Sequence, residues 1–189
     1  MNVAIVGLGL IGGSIALDLK ESGFCKSVIG VESNRKNAEL ALNLKLADEI
    51  IDIENAIKKS ELIIIATPVD IAIQNLSTII RIIEKQVVMD VGSTKESILA
   101  SVSENKNRGR FVATHPLWGT ENSGPESSMK GQLKGKMTVI CNASESDSDA
   151  LSLVENMYDS IGMRRIYLQA AEHDLHTAFR SEERRVGKE

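Results

Sequence analysis

MNVAIVGLGLIG, residues 1–12, opens the chain with a short apolar run, Val3 to Val6, that leads straight into Gly7-x-Gly9-x-x-Gly12, and a helix-like segment follows to Ser22. This order of strand, glycine turn and helix suits the pyrophosphate of a dinucleotide. Gly7 can take the tight turn out of the strand, Gly9 lets the backbone approach phosphate, and Gly12 lets the helix pack close to the strand. The helix N-terminus, where Leu10 and Ile11 lie between the last two glycines, offers free N–H groups and a positive dipole end. Glu32 stands twenty residues beyond Gly12, at the end of a second apolar run, Ser27 to Val31. A carboxylate there accepts hydrogen bonds from the adenosine ribose hydroxyls and repels a 2′-phosphate, which favours NAD over NADP, while Arg35 nearby in sequence leaves NADP open. The competing reading is an ordinary strand–helix turn packed through glycine. The surrounding context, more than the glycines themselves, favours the dinucleotide.

Working outward, strand-like runs alternate with helix-like segments. Helix Leu10–Glu21 is ended by Gly23, and strand 27–31 is followed by helix Asn34–Leu44, with Ser33 or Asn34 as its cap. A short strand 49–51 and helix Ile53–Lys58 come next. Leu62–Ala66 is wholly apolar, as a strand buried on both faces must be. Helix Asp70–Ile83, strand 87–91, helix Lys95–Asn105 and strand Phe111–Thr114 complete a doubly wound, mostly parallel α/β sheet of Rossmann type. Residues 115–135 then form a Gly-, Ser- and Pro-containing loop, of a length that is usually functional or mobile. Strand Met137–Cys141, helix Asp147–Ile161, strand Arg165–Leu168 and helix Ala170–Phe179 follow.

Composition narrows the function. Hydrophobic residues make up 42% of the 189 residues, enough for a real core, whereas 3% aromatic residues and a formal net charge of −4 weigh against nucleic acid and anionic membrane as partners. Cys25 and Cys141 have no metal-ligand spacing, so no metal is expected, and they read as reduced thiols of a cytoplasmic protein. The N-terminus lacks a basic region before its glycine-broken apolar run, so it does not read as a signal peptide. The longest apolar run, 62–66, is too short to span a bilayer.

Ligands of such sheets bind outside the carboxyl ends of the strands. Thr67 and Pro68 follow the fourth strand and can line the cofactor cleft, or simply turn the chain. His115 follows the sixth strand and is the acid–base candidate by residue type; it can equally end a strand and bond to backbone. His173 and His176 fall in the last helix, far from this edge in sequence. Ser93 can orient His115 or cap the helix beginning near Lys95, with Glu96 three residues on completing a capping box. Lys95 can draw a substrate carboxylate or sit exposed in a first turn.

GLGLIGGS, ATPVD, DVGSTK and, most specifically, HPLWGTENSGPESS resemble the prephenate dehydrogenase family, which includes arogenate dehydrogenases. The likeness covers nearly all of residues 1–180. It implies NAD-dependent oxidative decarboxylation of prephenate to 4-hydroxyphenylpyruvate in tyrosine biosynthesis, with prephenate or arogenate as the small-molecule substrate. Carried over by motif, His115 bonds the substrate's ring hydroxyl, Ser93 helps position that histidine and the substrate, and Thr120 and Glu121 border the substrate pocket. Trp118 departs from the smaller residue that many relatives carry. The resemblance further implies a helical domain beyond His173-Asp174, one that supplies dimer contacts and a cation for the substrate's carboxylates. The expected organisation is therefore a dinucleotide-binding domain at 1–168 and the start of that helical domain at 169–180. The terminal RSEERRVGKE reads as one frame of a sequencing-adapter sequence, so 181–189 is expected to be a non-native tail; a charged solvated tail is the alternative. The competing functional reading is an NAD-binding module without turnover.

Overall fold

The computed structural model describes residues 1–186, with side chains through Phe179. Eight strands form one sheet: β1 (Asn2–Val6), β2 (Ser27–Val31), β3 (Glu49–Ile50), β4 (Leu62–Ile65), β5 (Val87–Asp90), β6 (Phe111–Pro116), β7 (Met137–Cys141) and β8 (Arg164–Leu168). Their order is β3-β2-β1-β4-β5-β6-β7-β8, and all neighbours are parallel except β6 and β7. The chain order reverses between β1 and β4. That reversal opens a crevice at their carboxyl ends, the place where doubly wound sheets take ligands.

Strands β1 and β4 read as unbroken apolar runs because both faces are covered. Val3 and Ile5 point into one core, and Ala4 and Val6 into the other. Helices α1 (Leu10–Ser22), α2 (Arg35–Asn43) and α6 (Ser148–Ser160) cover the first face, the last through Ala150, Val154, Met157 and Tyr158. Helices α3 (Ile53–Lys59), α4 (Val69–Ile82) and α5 (Glu96–Ala100) cover the second, α4 through Ala72, Leu76, Ile79 and Ile80. Both sets recur at the three- and four-residue spacing of one helical face. Helix α7 (Ala170–Val186) packs beside α5 and β7. Its Leu175 and Phe179 are each 58% exposed.

Local signals act as the sequence suggests at most boundaries. Gly23 ends α1 in the left-handed conformation, at φ 70°. The Asn34 side chain accepts the Asn37 amide at 3.1 Å and caps α2.

Three expectations are corrected. Helix α5 ends at Ala100 and does not run to Asn105. Ser101 and Ser103 turn their hydroxyls back onto the carbonyls of Ile98 and Ala100, and such local bonds compete with helix propagation. His115 and Pro116 belong to β6 and not to the loop, because antiparallel β7 pairs with them, His115 opposite Val139 and Pro116 opposite Thr138. The last helix extends past Phe179 to Val186. Of the expected tail, residues 187–189 lie outside the described residues. No described helix is long and apolar enough to cross a membrane.

Candidate active site

The glycine turn stands at the end of β1. Gly7 has φ 92°, and a Cβ there would lie 2.8 Å from the Ala66 carbonyl oxygen. A Cβ on Gly12 would fall 2.1 Å from the Gly7 carbonyl oxygen, so α1 reaches its position only with glycine there. Gly9 is different. A Cβ on it would find nothing closer than the Gly124 nitrogen at 4.0 Å. The protein leaves space over Gly9, at a helix N-terminus that no side chain caps. Leu10 is buried and Ile11 half-buried in the first turn. An uncapped N-terminus facing open space suits an anionic ligand.

Glu32 lies beside the glycine turn. Its carboxylate accepts the amides of Asn34 at 2.9 Å and Leu8 at 3.5 Å, which ties the end of β2 to the glycine turn. Arg35 is exposed and pairs with Glu39 at 3.0 Å. Across the crevice, Thr67 follows β4, and its buried hydroxyl oxygen has no hydrogen-bond partner among the described residues. Buried hydroxyls seldom stay unpaired, so this one is a candidate contact for a ligand. Pro68 precedes α4 and is exposed. Open space, free helix amides, an acid at the end of β2 and an orphaned hydroxyl together fit a dinucleotide.

The loop after β6 is strapped onto α1. Ser128 donates to the Gly9 carbonyl at 3.2 Å, the Met129 amide to Ser14 at 2.9 Å, and the Gly131 amide to Asp18 at 2.6 Å. Leu133 is fully buried. Thr120 and Glu121 are exposed between β6 and this strap, and the Thr120 hydroxyl accepts the Asn122 amide at 3.2 Å. Trp118 packs half-buried against the core that holds α1 and α6.

His115 sits at the carboxyl end of β6, on the same sheet edge as the glycine turn. Burial pushes its pKa down to about 4, and the Lys95 ammonium pushes the same way. It is therefore a neutral imidazole at pH 7. The structure places His173, not Ser93, against it: His115 Nδ1 and His173 Nε2 are 2.9 Å apart. Sequence distance hid this contact, because α7 folds back over β7 and α5. Ser93 is exposed and forms no side-chain hydrogen bond among the described residues. The α5 cap is supplied instead by Asp174, whose carboxylate accepts the amides of Lys95 and Glu96 at 2.8 and 2.9 Å.

Lys95 is neither exposed nor turned toward open space. It is fully buried, with its ammonium on the Asp90 carboxylate and 2.7 Å from the Thr114 carbonyl. Asp90 also accepts the amides of Gly92 at 2.9 Å and Thr114 at 3.2 Å. The pair locks the ends of β5 and β6 together and keeps the Lys95 ammonium near His115.

The low His115 pKa carries a stability consequence. Between about pH 6.5, the ordinary imidazole value, and about 4, the unfolded chain binds a proton that the folded chain refuses. Stability is full above that window and falls as pH drops through it, by up to about 3 kcal/mol from this group. Urea unfolding at both ends of the window checks the sign. His115→Gln should lose less stability than the parent chain on acidification; an equal loss would assign the acid sensitivity elsewhere.

Fold and site together define a dinucleotide-binding domain of the oxidoreductase type, with a neutral histidine beside the ligand edge. The sequence model described as "Prephenate dehydrogenase, nucleotide-binding domain" matches residues 15–167, and the chain belongs to the prephenate dehydrogenase family. It is 28% identical to the prephenate dehydrogenase of Bacillus subtilis strain 168, over 92% of this chain and 48% of that protein. It is likewise 28% identical to the cyclohexadienyl dehydrogenase of Zymomonas mobilis, over 93% of this chain and 60% of that one. Among solved structures, prephenate dehydrogenase from Aquifex aeolicus, in complex with hydroxyphenyl propionate and NAD+, superimposes with TM-score 0.84 at 30% identity, covering 92% of this chain and 61% of that chain. Synechocystis arogenate dehydrogenase gives TM-score 0.85 at 26% identity, covering 94% and 63%. The chain thus spans about half to three-fifths of the length of the curated relatives it matches.

Proposed function

We propose that this chain binds NAD and forms the cofactor half of an enzyme that oxidatively decarboxylates prephenate or arogenate. One juxtaposition carries the reading: the open space over Gly9 and a neutral imidazole, His115, lie on the same sheet edge. NAD, when bound, supplies the hydride acceptor. Gly7, Gly9, Gly12, Leu10 and Ile11 would hold its pyrophosphate at the helix N-terminus, Glu32 its ribose hydroxyls, and Thr67 and Pro68 the far wall of the crevice.

His115 is the proton acceptor in this scheme. As hydride leaves the ring carbon, His115 takes the proton of the hydroxyl on that carbon. The ring carboxylate then departs as carbon dioxide, its bonding electron pair enters the ring, and His115 returns the proton to the oxygen. The ring becomes aromatic, which drives the step. Ser93, Thr120 and Glu121, exposed at the ends of β5 and β6, are proposed to contact substrate. A homodimer, as expected of full-length relatives, and a cytoplasmic location belong to the same proposal.

The second reading, an NAD-binding module without turnover, also has an observation behind it. Among the described residues, the ammonium that acts on His115 is that of Lys95, and Asp90 already neutralises it. Substrate carboxylates need a cation from elsewhere. Residues 1–189 assayed by themselves should bind NAD and form no NADH with saturating prephenate; robust turnover would place the whole substrate site within this chain.

Cofactor choice is tested at Glu32. The parent chain should bind NAD more tightly than NADP by calorimetry, because a 2′-phosphate would meet like charge. Glu32→Ala should narrow that difference. Tighter binding of NADP by the parent chain would sink the assignment.

A further inference from the structure

The rings of His115 and His173 meet nearly edge to face, with centroids 5.1 Å apart and planes at 83°. His173 is 2% exposed, and its Nδ1 lies 2.7 Å from Asp174 Oδ1. The same carboxylate takes the Lys95 amide at 2.8 and 3.0 Å and the Glu96 amide at 2.9 Å. Burial opposes ionisation of Asp174, but these donors outweigh it and hold the carboxyl below the usual range. An ionised carboxylate only accepts hydrogen bonds, so His173 Nδ1 carries a hydrogen. In a neutral imidazole the other nitrogen is then the acceptor. With His173 neutral, the hydrogen between the two rings belongs to His115 Nδ1, and His115 Nε2 keeps its lone pair.

We propose that His173 and Asp174 are positioning residues that fix His115 as its Nδ1–H tautomer and leave Nε2 free as the proton acceptor. The line of contacts runs from the α5 cap through α7 to the end of β6, so the fold itself sets the tautomer. Two other roles compete. Asp174 can serve only as a helix cap, with His173 as packing. Alternatively, a cationic His173 would donate from both nitrogens and place the hydrogen on His115 Nε2. The tautomer is independent of the substrate's identity; its use as the acceptor rests on the function proposed above.

The test is long-range proton–nitrogen NMR on residues 1–189 with nitrogen-labelled histidine at about pH 8, above the ordinary imidazole range. His115→Gln and His173→Gln supply the assignments. His115 should show a protonated, pyrrole-type Nδ1 and a pyridine-type Nε2. His173→Leu removes the acceptor, and His115 should lose this preference. His173→Gln offers an amide donor toward Asp174 and a carbonyl acceptor toward His115, and should retain it. Hydrogen on His115 Nε2 in the parent chain, or an even mixture of tautomers, overturns the proposal. If His173→Leu does not fold, the parent spectrum decides alone. Absence of prephenate oxidation by a polypeptide with a complete substrate site would count against the proposed reaction and leave the tautomer result standing, so the two failures are distinguishable.

Discussion

His115→Asn is expected to lower turnover by about a hundredfold or more, the scale associated with loss of a positioned acid–base group. The assay requires a polypeptide with a complete substrate site, such as residues 1–179 joined to the remaining part of the Aquifex aeolicus relative. NAD affinity should barely change, because His115 lies at the end of β6 and the proposed pyrophosphate cradle at the end of β1, with β4 and β5 between them. A fall in the catalytic rate with unchanged NAD affinity separates chemistry from folding. Near-normal turnover in the variant would make His115 a structural residue of β6.

The largest stability effect is expected at Asp90. Asp90→Ala strands the Lys95 ammonium, which is fully buried and would keep the Thr114 carbonyl as its remaining partner. Breaking a buried pair in this way costs about 3–5 kcal/mol, because one charge stays buried without compensation. Urea denaturation of the parent chain and variant measures the loss. The double variant Asp90→Leu with Lys95→Met removes both charges and should recover most of it, as apolar replacement of buried pairs often does. A single-variant loss below about 1 kcal/mol would mean that the ammonium escapes to solvent when its partner goes.

Legibility in the sequence followed the range of the interaction. Strands β1 and β4 announce themselves because burial on both faces demands consecutive apolar residues. The Asn34 cap and the Gly23 stop are visible because each acts within a few positions of itself. The glycine turn is legible for the same reason, and its context supplies the crevice. Contacts between distant segments leave no such trace. His115 and His173 are 58 positions apart, and Lys95 and Asp174 are 79 apart. Only the return of α7 over β7 and α5 brings them together. Lys95 misleads most directly: a lysine in a glycine- and serine-containing turn reads as solvated, and only the packed ends of β5 and β6 show its charge buried on Asp90. Ser93 misleads in the opposite sense. Its position at a helix start suggests a cap, yet the cap comes from Asp174.

The space over Gly9 offers the most direct test of the account. Gly9 has φ −79° and ψ −159°, a backbone that other residues adopt, and a Cβ placed on it would lie 4.0 Å from the Gly124 nitrogen, its nearest neighbour outside the turn. Gly9→Val should therefore fold as the parent chain does while filling the proposed pyrophosphate cradle. Calorimetric titration of both proteins with NAD is the measurement. The account predicts saturable one-site binding to residues 1–189 and its loss in Gly9→Val at unchanged unfolding midpoint. Equal NAD binding by the two proteins, or none by the parent chain, would contradict it.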